Sequence, residues 1–89
     1  MAQVSETRFA QALRRELAVA REHHPKMASL HEGWAIILEE VDELWEIARL
    51  RKESREPFNI AKELVQIAAM AQRTCEDLGF ANELDQLEQ

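Results

Sequence analysis

Apolar residues recur along this chain at intervals of three and four, the spacing that lines up one face of an α-helix. Phe9, Leu13, Leu17 and Ala20 form the first stripe, with Arg14, Arg15 and Glu16 on other faces. The spacing predicts a helix from about Glu6 to about Glu22, ended by His23, His24 and Pro25. Proline disfavours α backbone in the residue before it. The second stripe, Trp34, Ile37, Leu38, Val41, Leu44, Trp45 and Ala48, predicts a helix from about Ser29 to about Lys52. Ser29 suits the N-cap, and Glu32, three residues on, suits the reciprocal partner of a capping box. A charged connection, Glu53 to Glu56, follows. Pro57 fits the first turn of a third helix, where its missing N–H costs nothing. That helix is predicted to run to about Leu78 on the stripe Ile60, Leu64, Ile67, Ala68, Ala71 and Leu78, with Gly79 as the residue that ends it. In the tail, Phe80 to Gln89, the residues Phe80, Leu84 and Leu87 suit a short helix covering an open end.

The expected fold class is therefore all-α, with residues 1–89 as a single domain. The architecture expected is an antiparallel helical bundle of three main helices plus a short C-terminal helix. Two glycines and two prolines leave too few turn signals for a β-sandwich. Hydrophobic residues make up 46% of the chain but aromatics only 6%, with no Tyr, so aliphatic side chains and alanine must fill the core. A core of this size is thin. Trp34, Leu38 and Trp45 spread apolar surface over a wider arc than one thin bundle covers. A homodimer or tetramer that completes the core is the expectation.

Charge narrows the partners. A formal net charge of −6 argues against general nucleic-acid binding, which works through cationic side chains on phosphates. It leaves room for a phosphate ligand if carboxylates hold a divalent metal that reverses the local sign. Cys75 is the single cysteine, so no intrachain disulfide forms. Met1 to Glu16 has no apolar run of signal-peptide length. No window reaches the roughly 18 apolar residues of a membrane span. The expectation is a soluble cytoplasmic protein without a membrane partner.

Some carboxylates stand where a surface helix does not usually carry them. On a helical wheel of about 100° per residue, Asp42, Glu46 and Arg49 fall on the solvent side. Glu40 instead lies beside Ile37 and Leu44, and Glu43 lies among Ile36, Ile47 and Leu50. Three residues apart, these two acids project from the same face, with Glu39 at its edge. In the third helix Glu63 is flanked by Ile67 and Met70, and Gln66 follows on the same side as Asn59. Antiparallel packing of the second and third helices, suggested by their short connection, would gather three carboxylates and an amide in one cleft. Repulsion and burial oppose that gathering unless a cation joins it. A single such acid is better read as bordering the core and reaching solvent. Three on matching flanks favour a hard divalent cation: magnesium, or manganese in its place, with waters left to exchange for substrate phosphates.

Here the chain resembles a known family. Glu39-Glu40-Val41-Asp42-Glu43 matches the EExxE motif of the MazG-like, all-α nucleoside triphosphate pyrophosphohydrolases, and Glu63 falls where that family's second motif, ExxD, begins. The run His31-Glu32-Gly33-Trp34 and the stretch from Glu63 to Ala71 look similar too, so the resemblance covers roughly residues 28 to 78. It departs at Gln66, where the family has Asp. The resemblance implies a homodimer or higher oligomer that hydrolyses a nucleoside triphosphate to the monophosphate and pyrophosphate with magnesium, in a role such as house-cleaning of non-standard nucleotides. It implies Glu40, Glu43 and Glu63 as metal ligands, with Gln66 beside them as a neutral donor. Glu39 becomes an outer ligand or the group that orients the attacking water.

Other residues fill in this picture or leave it open. Lys52 and Arg55, with Arg51, are candidates for holding a triphosphate tail, against a plainer role as cations at a helix C-terminus. Asn59 is a candidate substrate contact. Trp34 and Trp45 read as core or dimer packing rather than base stacking, Met70 and Cys75 as packing, and His31 as surface. No Gly-rich phosphate loop is present. Two further readings stay open: a regulatory nucleotide- or metal-binding domain with little or no turnover, for which Gln66 speaks, and a purely structural helical dimer.

Overall fold

Each main helix begins where a side chain or a proline relieves the free N–H groups of its first turn. The computed structural model describes residues 6–88; residues 1–5 and Gln89, over which the leader and tail expectations extend, lie outside the described residues. Helix α1 spans Arg8–His23, α2 Leu30–Ala48 and α3 Pro57–Asp77. Short 3-10 stretches occupy Lys52–Ser54 and Ala81–Glu88, and there is no strand among the described residues. Thr7 Oγ1 accepts the Ala10 N–H at 3.0 Å and Ser29 Oγ accepts the Glu32 N–H at 3.1 Å. Glu32 Oε1 returns to the Ala28 N–H at 3.2 Å, one residue earlier than a capping box prescribes.

The C-termini differ more from expectation. Gly79 takes φ 81°, and the N–H groups of Phe80 and Gly79 bond the carbonyls of Cys75 at 2.9 Å and Glu76 at 3.1 Å. These paired bonds are a Schellman ending, which needs left-handed backbone at the glycine. Helix α2 stops at Ala48 instead of continuing to Lys52. Beyond that end Arg55 turns back to donate from Nη2 to the Ala48 carbonyl at 2.6 Å and from Nε to the Leu50 carbonyl at 3.1 Å. Carbonyls that a longer helix would use internally are satisfied by a side chain instead.

Both α1 and α2 pack on α3. The core is Leu17 and Ala20 of α1 against Ala69 and Met70 of α3, with Leu13, Ile36 and Ile37 packed around them. The closest approach of α2 to α3 is at Gly33, where a Cβ would stand 2.4 Å from Thr74 Cγ2. Near the other end of α2, Glu43 meets Glu63, so the two helices run in opposite senses. The contacts of Glu16 with Gln66 and of Arg21 with Glu76 give α1 and α3 the same sense.

Buried charge pins the connection between α1 and α2 to the end of α3. Arg73 Nη2 donates to the Pro25 carbonyl at 3.1 Å, Asp77 Oδ2 accepts the Met27 N–H at 3.0 Å, and Arg73 Nε lies 3.8 Å from Asp77 Oδ2. Met27 is thereby held in the core.

The Trp stripe of α2 does not enter this core. Trp34 is 62% and Trp45 60% exposed, because Gly33, Ile36, Ile37 and Glu40 are the residues turned inward. Accessible surface totals 7341 Å2, against about 5,400 Å2 for a compact monomer of this mass. None of the described helices is long and apolar enough to cross a membrane.

Candidate metal centre

Glu40 and Glu43 leave one face of α2, and Glu63 leaves the second turn of α3 opposite them. Each brings a carboxylate oxygen to within 4.8 Å of the other two. Glu40 and Glu63 are half-buried and Glu43 is exposed. Burial pushes the Glu40 carboxyl above its ordinary value; a hydrogen bond with Glu63 opposes this, and the charges of Glu43, Glu39 and Glu16 add to it. Burial likewise raises Glu63, opposed by its hydrogen bond with Glu43. Glu43 is raised chiefly by that hydrogen bond and then by the Glu63 charge. All three acids are thus biased toward holding a proton, the response of carboxylates crowded together at a partly buried site.

The donor set fits a hard divalent ion. Glu63 Oε2 is buried and has no hydrogen-bond partner, a costly condition for a carboxylate oxygen. Carboxylate oxygens on two rigid helices are what magnesium and manganese prefer. Glu40 also forms part of the wall of a cleft of about 720 Å3 whose lining includes Glu16, Glu39, Gln66, His23 and Arg73. An open cleft beside the acids leaves room for a ligand to approach a held ion.

The remaining candidates are placed as follows. Glu39 is exposed on the cleft wall. Gln66 follows Glu63 by one turn, but its Nε2 donates to Glu16 Oε2 of α1 at 2.7 Å. Asn59 is exposed one turn before Glu63, and Lys52 is exposed in the 3-10 turn. Arg55 is committed to the carbonyls ending α2. Sequence reasoning missed Glu16, whose neighbours on α1 mark it as surface, and the Arg73–Asp77 pair, whose i,i+4 spacing is that of an ordinary surface pair. No known family model, no curated protein and no solved structure matches the chain.

Proposed function

We propose that this protein is a magnesium-dependent nucleoside triphosphate pyrophosphohydrolase of the MazG-like kind, releasing pyrophosphate and a nucleoside monophosphate. The observation that carries the reading is the meeting of Glu40, Glu43 and Glu63 within 4.8 Å. Those acids occur in the order and on the helices that the EExxE and second-motif resemblance implies. Glu40, Glu43 and Glu63 would hold the ion. When bound, it supplies charge neutralisation and Lewis acidity at the phosphates. The chain's own task is then positioning, which is most of what phosphoryl transfer asks of a protein. Glu39, on the cleft wall, orients the water that attacks the α-phosphorus and accepts its proton. The bond from that phosphorus to the bridging oxygen breaks, and pyrophosphate leaves with the electron pair.

A cytoplasmic homodimer or tetramer suits this reading: nucleoside triphosphates are at hand there, and a second copy would cover the Trp34 and Trp45 stripe. House-cleaning of non-standard nucleotides is the role that the resemblance implies. The test is a pyrophosphate-release screen over standard and modified triphosphates with magnesium or manganese. Metal-dependent release is expected, lost in Glu43→Gln and in Glu63→Gln. One observation favours a second reading: position 66 offers an amide already bonded to Glu16. Demonstrable metal binding with no pyrophosphate from any nucleotide would make the protein a regulatory binding domain instead.

A further inference from the structure

Gln66 is the point at which the chain departs from the acid pattern it otherwise follows, and its amide is not idle. A carboxylate can only accept hydrogen bonds, so the contact with Glu16 fixes the orientation of the planar amide. Nε2 faces α1, and Oε1 is left on the opposite branch. The contact is part-buried and 2.7 Å long, joining helices whose residues stand 50 apart in sequence. Glu16 shares the cleft wall with Glu39, Glu40 and Gln66, and its charge adds to the field that raises Glu40. A bond serving only to dock α1 on α3 would not need an ionisable group beside other acids, where like charges repel. An acid there is understandable if a cation is the fourth party.

We propose that Glu16 returns to the metal centre the negative charge that Gln66 leaves out, acting as a positioning residue that aims the Gln66 amide and adds its own field. The inference rests on the reading of Glu40, Glu43 and Glu63 as a metal centre. The fourth acid of the site has in effect moved from α3 to α1, and Gln66 relays it. Docking of α1 is then coupled to metal affinity.

The experiment is a Mn2+ titration of the full chain, with free Mn2+ read by electron paramagnetic resonance and the metal-free melting temperature recorded alongside. Glu16→Gln, which keeps the side chain's shape, is expected to weaken Mn2+ about tenfold through the loss of one negative charge near the dication. The exchange variant Glu16→Gln with Gln66→Glu puts the acid on α3 and the amide on α1, and is expected to recover the wild-type affinity. A purely structural bond would lower the melting temperature of Glu16→Gln and leave its Mn2+ affinity unchanged, which overturns the proposal. So does an exchange variant no better than the single one. If Glu40→Gln abolishes Mn2+ binding while Glu16→Gln keeps it, the Glu16 assignment alone fails. If Glu40→Gln binds as wild type does, the metal centre falls and this inference with it.

Discussion

At Glu63 one oxygen is buried without a partner, and the carboxylates of Glu40 and Glu43 lie within 4.8 Å. Its carboxyl, and those of Glu40 and Glu43, are pushed upward, so the folded protein holds protons there more tightly than the unfolded chain does. An acid raised on folding contributes stability that is present in full below its unfolded value and lost as pH rises through its folded one. Glu63→Gln removes that loss. The variant should match wild type in melting temperature near pH 4.5, the ordinary value of the group, and exceed it at about pH 7. Glu76 is shifted the opposite way by Arg21, but it is common to both proteins and cancels. Saturating Mg2+ should raise the wild type and leave Glu63→Gln unmoved, because only the native wild type binds. A difference that does not grow between the two pH values would show that these acids do not repel. The cluster was legible in sequence because Glu40 and Glu43 are i,i+3 on a strongly periodic helix and Pro57 fixes where the next begins. The role of Gln66 was not, since its partner lies on α1 and no local spacing announces it.

At the scale of elements, two contacts set how α2 and α3 meet, and neither is a large hydrophobic one. Gly33 lets α2 approach until a Cβ would stand 2.4 Å from Thr74 Cγ2 and 2.6 Å from Thr74 Oγ1. Thr74 is itself fixed, its hydroxyl donating to the Met70 carbonyl at 2.8 Å. Gly33→Ala should therefore cost about 1–3 kcal/mol by overpacking, read as a lowered urea midpoint with unchanged slope. Alanine's better helix propensity returns only about 1 kcal/mol. Adding Thr74→Ala should recover part of the loss but not all, because the Thr74 Cβ would still be 3.1 Å away. A Gly33→Ala protein as stable as wild type would mean that the helices separate freely here. The starts of α2 and α3 were readable from Ser29 and Pro57 because caps are local chemistry, whereas the sequence placed the start of α1 at about Glu6 and did not single out its cap, Thr7. The end of α2 was not: apolar periodicity runs past Ala48, and only the fold brings Arg55 back onto the Ala48 carbonyl. The Arg73–Asp77 pair was similarly hidden, since its spacing is that of an ordinary surface pair and its burial depends on the loop at Pro25 and Met27.

The whole molecule exposes more than its mass requires. The excess over a compact monomer is about 2,000 Å2, and the radius of gyration, 15.2 Å, exceeds the roughly 12 Å of a compact domain of this length. On α2, Trp34, Leu38, Val41 and Trp45 are all exposed along one side. The stripe was legible in sequence; that it faces away from α3 was not, because a wheel shows an apolar arc and not which neighbour takes it. Stable interfaces bury about 800 Å2 from each partner, and a stripe of two tryptophans and two aliphatics supplies the aromatic centre they need. A second copy laid on this face would bury both stripes in a self-complementary, two-fold contact. Wild type should therefore sediment as a dimer or tetramer at micromolar concentration. Trp34→Glu and Trp45→Glu each place a charge in the middle of that contact and should shift the population to monomer. Because those side chains touch little of the single chain's own core, helix content should persist in the monomer. The comparison variant is Leu17→Ala, which opens a cavity in the core and should lower stability by about 2–5 kcal/mol while leaving the association state of the folded fraction unchanged. A wild-type protein that remains a stable monomer at that concentration, melting cooperatively with both tryptophans in water, would remove the oligomer from this account.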